Sequence, residues 1–204
     1  MRSMVLSQPI ETARLRLREF VESDWEAILG ASDSRAMKFF DEAPFTEDDA
    51  KAWVDSVIAS QAQDPRMRYA FAVELKAGNT VIGYCDIGIR PPVECRMAYS
   101  GFRYIPEYWG NGYGTEAQRA IFDFGFRILG LERISCKCEP ENTGSWRMME
   151  KCGMRREGHG ILDNWSTKRK KRINTYYYAI LKEEWEKGNP TQQAAARRTG
   201  QPHT

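Results

Sequence analysis

The chain has 204 residues, 42% of them hydrophobic, with a formal net charge of +2. That supplies one core and one domain, and the charge is too even to argue nucleic-acid binding from the chain as a whole. No apolar run approaches the ~18 residues of a membrane span and no signal peptide is evident, so a cytoplasmic protein without a membrane partner is expected.

A metal site is not expected either. The two histidines, His159 and His203, cannot assemble a histidine-based site, and the five cysteines show no paired CxxC spacing. Cys136 and Cys138 fall on one side of a strand and read as small buried hydrophobes.

From 14 to 20 apolar and charged residues alternate, the period of a half-buried strand. Ser23 with Glu26 predicts a capping box for a helix to about Leu29, and Thr46 caps a second helix. In that second helix Ala50, Trp53, Val54, Val57 and Ile58 form the inward stripe. Residues 69–75 and 81–89 are β-rich and joined by a turn with Gly78 and Asn79, which predicts a hairpin.

After Pro91 and Pro92 a strand is expected over 96–105, then an amphipathic helix through Ala117, Ile121, Phe124 and Leu129, stopped by Gly130. Residues 133–138 read as a strand, a short helix starts near Asn142, and two strands near 154–164 and 173–181 flank the basic run 168–172. Five consecutive cations usually form a solvated loop, with an acidic or ribosomal partner the other reading. The order β-α-α-β-β-β-α-β-α-β-β predicts an α/β fold, a mixed sheet of about seven strands with helices on both faces. The domain is expected over 10–186, and 187–204 as a disordered tail.

Between the strand at 96–105 and its helix lies YWGNGYGTEA, residues 108–117, with glycines at 110, 112 and 114. A glycine-rich turn before a helix suits phosphate, because the first helical N–H groups have no internal partner and no Cβ blocks their approach. The ATP-binding P-loop needs Gly-Lys-Ser/Thr, which is absent from the sequence. A dinucleotide fingerprint needs a wider glycine spacing and an early βαβ unit, so it is a weak second reading.

The spacing Trp109-x-x-Gly112-x-Gly114 resembles the acyl-CoA pyrophosphate signature Gln/Arg-x-x-Gly-x-Gly/Ala of the GNAT acetyltransferase superfamily. Tryptophan replaces the usual first residue, and the YWGxGYxTEA form resembles the RimJ/RimL branch, the ribosomal-protein N-terminal acetyltransferases. IETARLRLREF from Ile10, NTGSWRMMEKCGM from Asn142 and YAILKEEW from Tyr178 resemble other segments of that branch in the same order.

The resemblance implies acetyl-CoA as cosubstrate, in a cleft where the strands at 96–105 and 133–138 separate. Its pyrophosphate would lie on Trp109, Gly110, Asn111, Gly112, Tyr113, Gly114 and Thr115, and its pantetheine along Phe102, Arg103 and Tyr104 and against Asn142. A main-chain N–H near Tyr104 would hold the oxyanion, and Ser145 would protonate the CoA sulfur. The acceptor would be a primary amine: a protein N-terminus, a ribosomal protein or a small molecule such as an aminoglycoside or polyamine.

The general base is unassigned. Asn164 stands where relatives carry a carboxylate, and Asp163, Asp86, Glu94, His159 or a water chain are the alternatives. A thiol route through Cys136 or Cys152, a noncatalytic acyl-CoA sensor and an RNA-associated module are the competing readings, and the chain is expected to be a monomer or homodimer.

Overall fold

A computed structural model describes residues 8–188. One sheet of eight strands runs in the order β1-β2-β3-β4-β5-β6-β8-β7. The strands are β1 (Ile10–Glu11), β2 (Leu15–Arg18), β3 (Arg68–Leu75), β4 (Thr80–Ile89), β5 (Met97–Tyr104), β6 (Arg133–Cys138), β7 (Arg155–Ser166) and β8 (Lys171–Leu181). All neighbours are antiparallel except β5 and β6, so the expected mixed sheet is present. The eighth strand is β1, whose two residues are too few to show alternation in sequence.

Helices cover both faces, as expected. Helices α1 (Trp25–Ala31) and α2 (Glu47–Gln61) pack on one face, where Ile28, Val54 and Val57 meet Ala70, Ala72 and Tyr84. Helices α3 (Tyr113–Asp123), α4 (Thr143–Lys151) and α5 (Lys182–Gly188) pack on the other, with Ile121, Phe122, Met149 and Trp185 against Tyr69, Phe71 and Val73. Strand β3 explains the asymmetry: its large residues alternate with alanines, so the aromatic side faces α3 and the small side admits α1 and α2.

Four local expectations are corrected. The Ser23 capping box does not form; a short 3-10 turn, Glu22–Asp24, precedes α1, and Asp24 Oδ2 accepts from the Val21 amide at 2.9 Å. Asp24 takes that place because it also binds Arg18. The helix expected to Leu29 ends instead at Ala31. The helix expected to run evenly to Leu129 widens after Asp123, and Leu129 N bonds Phe124 O at 3.1 Å. The expected tail begins too early: α5 continues through Gly188, held by Trp185 against Phe122 and Phe126. The rest of that tail, 189–204, lies outside the described residues.

The Thr46 cap forms as expected, Thr46 Oγ1 accepting from Asp49 N at 3.2 Å. The hairpin over β3 and β4 also forms, with positive φ at Gly78 and Asn79. The basic run is a largely exposed turn, as expected, but two of its cations are engaged by the chain. Lys168 Nζ donates to Met37 O at 3.2 Å, and Arg169 pairs Glu139 through two bonds of 2.7 and 2.5 Å. Ser166 Oγ donates to Asp41 Oδ1 at 2.6 Å, so the β7–β8 tip is fastened over residues 37–42. No helix among the described residues is long and apolar enough to cross a membrane.

Candidate active site

The parallel pairing of β5 with β6 covers only Met97 with Arg133, Ala98 with Ile134 and Tyr99 with Ser135. Beyond those pairs the strands part. Strand β5 continues to Tyr104 against β4, while β6 continues to Cys138 against β8. A gap therefore opens in the middle of the sheet, between residues 100–104 and 136–138.

The antiparallel register decides which groups look into it. Ile105 N bonds Ile82 O at 2.9 Å and Arg90 N bonds Met97 O at 2.8 Å, so odd-numbered residues of β5 turn their main-chain groups toward β4. Even-numbered residues turn theirs the other way. Phe102 and Tyr104 thus present main-chain groups to the gap, whereas Arg103 presents its own to β4. Ser100 O accepts from Cys136 Sγ at 3.3 Å, and Tyr104 O accepts from the Trp109 indole at 2.9 Å.

The gap leads to the glycine turn. Gly110 and Gly112 have φ of 79° and 80°, the left-handed region where a side chain is strained. A Cβ on Gly110 would meet nothing within 4 Å, so that face of the turn is open. Glu116 N bonds Gly112 O at 3.1 Å as the first helical bond, which leaves the N–H groups of Tyr113, Gly114 and Thr115 without helical acceptors. At Gly114 a Cβ would approach the Tyr104 ring to 3.2 Å, so the helix entrance sits directly on that residue.

The turn is braced from three directions. Asn111 Nδ2 donates to Tyr108 O at 3.2 Å and Trp109 O at 3.1 Å. Arg14 Nη1 donates to Asn111 O at 3.1 Å and Arg14 Nε to Glu116 Oε2 at 2.7 Å. Thr12 Oγ1 donates to Glu116 Oε1 at 2.6 Å. Sequence reasoning missed Thr12 and Arg14, because their role is fixed by partners about a hundred residues away and no local pattern announces it.

On the other wall, Asn142 Oδ1 accepts from Ser145 N at 3.3 Å and caps α4. Ser145 is 7% exposed and lies beside Cys138, at the β6 end of the gap. Burial pushes the Cys138 thiol up to about 11, partly offset by Ser145. Burial also pushes Cys152 up to about 12 and Cys136 well above the usual thiol range. Both thiols are protonated near neutral pH, which removes the thiolate that a covalent route needs.

The candidate bases do not converge on the gap as free carboxylates. Asp86 is buried and bonded to Arg68 Nη2 at 2.7 Å and to Gly101 N at 2.9 Å. Glu94 is exposed beside the opposite end of β5, and His159 is exposed and packed edge-on against Tyr176. Asp163 accepts from Tyr177 Oη at 2.5 Å, a bond that lowers its carboxyl below the usual range. Asn164 Oδ1 accepts from Trp165 N at 3.0 Å.

Residues 14–155 match the family described as "Acetyltransferase (GNAT) domain". The chain is 39% identical over 177 residues to the "Uncharacterized N-acetyltransferase YnaD" of Bacillus subtilis, covering 86% of this chain and 98% of that one. The crystal structure of an acetyltransferase of the GNAT family from Bacillus anthracis superposes with a TM-score of 0.75 at 34% identity, covering 86% and 99%. Spermidine N-acetyltransferase from Vibrio cholerae, solved with CoA and spermine, shares the fold with a TM-score of 0.71 at 22% identity, covering 85% and 99%.

Proposed function

The chain belongs to the GNAT acetyltransferase family, and from that premise we propose an acetyl-CoA-dependent N-acetyltransferase of the RimJ/RimL type, acting directly on a primary amine. The observation that carries this reading is the register of β5, which turns Phe102 and Tyr104 to an open gap ending at a left-handed glycine turn. An extended chain of amides fits such a gap as an added strand, and a diphosphate fits the helix entrance.

Acetyl-CoA supplies the activated acyl group when bound. The amides from Gly110 to Thr115 would grip its diphosphate, with Trp109 holding the end of β5 in place. Phe102 would pair with the pantetheine amides, and Asn142 would add a side-chain contact while capping α4. The Tyr104 N–H would donate to the oxyanion. The Ser145 hydroxyl would hand its proton to the departing thiolate. With Asp86 neutralised by Arg68, the amine would lose its proton through water in the open gap.

The acceptor is a protein N-terminus or a small-molecule amine. Incubation with acetyl-CoA and a panel of amines, read by CoA thiol release and by the mass of the acetylated product, tests the proposal. Tight acetyl-CoA binding with no thiol release for any amine would identify a noncatalytic acyl-CoA sensor instead.

A further inference from the structure

Two guanidinium groups in the described residues are almost fully buried, Arg66 at 2% and Arg103 at 7% exposure. Their environments differ. Arg66 makes a bidentate pair with Glu19 at 2.7 and 2.9 Å. Arg103 has no ion pair with a carboxylate among the described residues; its Nη1 donates to Ser32 Oγ at 2.8 Å, and its Nε is buried without a partner. Buried cations are ordinarily paired, so Arg103 is held ready for an anion that the chain itself does not supply.

Its surroundings suit that role. The rings of Phe40, Phe45 and Tyr84 lie 4.5, 5.3 and 5.8 Å from the guanidinium carbon. Aromatic faces stabilise a cation without using its in-plane N–H donors, so with Nη1 committed to Ser32 Oγ the unpartnered Nε remains as a donor for an anion. Arg103 shares the α1–α2 face with its cross-strand partner Tyr84, and it lies between Phe102 and Tyr104, the two residues whose main chain faces the acyl cleft.

The segment that carries Phe40 also borders a cationic cavity, which Arg103 itself does not line. Phe40 follows Lys38 and Phe39, which line an open cavity of about 320 Å³ together with Lys171 and Arg172. Glu139 on its wall is neutralised by Arg169, leaving Glu141 against three cations. Such a field favours anions over polycations at that cavity.

We propose that Arg103 is the binding partner for a carboxylate carried by the acceptor, so that the substrate is an amine that is also an acid, of the amino-acid class. This rests on the acyltransfer reading above and narrows its substrate. A free amino acid and a peptide with an acidic residue near its N-terminus share the chemistry, and paired probes separate them.

The probes are the common amino acids against their C-terminal amides, and the peptide amides Asp-Ala-Ala and Ala-Ala-Ala. Binding to the CoA-saturated protein is measured by calorimetry, and thiol release from acetyl-CoA in parallel. The carboxylate member of at least one pair is expected to bind about tenfold or more tightly, and Arg103→Met to erase that preference. Arg103→Lys keeps part of it, and acetyl-CoA affinity is unchanged in both variants. Arg103→Met is also expected to melt no lower than the parent, because it removes an unpaired buried charge.

Preference for the amides or for the neutral peptide, or equal binding within every pair, overturns the proposal, as does an Arg103→Met protein that keeps the carboxylate preference. A lowered melting temperature with preference intact would make Arg103 structural only. If Arg103→Met does not fold, Arg103→Lys with no change in preference overturns it. Absence of thiol release with every amine would sink the transferase reading alone, since calorimetry still decides the role of Arg103.

Discussion

Arg14 in the turn before β2 and Glu116 in the first turn of α3, 102 residues apart, are joined three ways. The Arg14 amide donates to Glu116 Oε1 at 2.8 Å, and its Nε and Nη2 lie 2.7 Å from Oε2. A carboxylate at a helix N-terminus already favours the helix dipole. Here it also ties the glycine turn to the start of the sheet, so the turn is held in place by the chain itself.

Glu116→Ala should therefore lower stability by about 1 kcal/mol, the net loss of its hydrogen bonds to the partly buried Thr12 and the exposed Arg14. It should also weaken acetyl-CoA binding by loosening the turn. Burial alone would raise the Glu116 pKa, but the Thr12 hydroxyl, the Arg14 amide and the Arg14 guanidinium together bring it below the ordinary 4.5. A depressed folded pKa means that the stabilisation is present above about 4.5 and is lost as pH falls through the folded value. Urea titrations between pH 7 and pH 3 should show a shallower acid slope in the variant; identical slopes would remove Glu116 from the account.

Gly110→Ala and Gly112→Val should each raise the acetyl-CoA dissociation constant by about tenfold or more, by straining φ near +80° and filling the approach to the helix amides. In Gly112→Val the new side chain also meets Arg14 Nη2, which would lie 3.5 Å from its Cβ. Calorimetry on protein with a normal melting curve is the measurement, and unchanged affinity would count against the turn as the diphosphate site.

Ser145→Ala should reduce kcat by about a hundredfold with little change in acetyl-CoA affinity, as expected for loss of a general acid. A capping defect would behave differently, lowering stability and leaving the rate per folded molecule alone. Full activity in the variant would leave Ser145 as a buried side chain beside Cys138 and nothing more.

Cys136→Ala and Cys152→Ala should retain turnover, because both thiols are buried and protonated. A brief treatment of the native protein with iodoacetamide should label the exposed Cys95 first. Loss of an acyl-enzyme mass adduct on replacing either buried cysteine would revive the covalent route.

Much of the fold was legible along the chain. The alternation near Leu15 and Leu17, the Thr46 cap and the hairpin around Gly78 and Asn79 are local signals, and each produced its element. Helix α5 was not legible, since its seven residues are too few for a periodic stripe and Trp185 is its one buried residue. The basic run is mostly exposed, as its composition implied, but a row of cations carries no information about acceptors elsewhere; Glu139 and the carbonyl of Met37 are supplied by the folded chain.

The sequence by itself determined the glycine turn and its helix, because left-handed φ and a bare helix entrance depend on residue types at adjacent positions. Only the tertiary structure decided where β5 and β6 part, which residues of β5 face the gap, and that Arg103 is buried without a carboxylate. Strand register and charge pairing are set by neighbours distant in the chain, and a one-residue change of register would turn every one of those groups the other way.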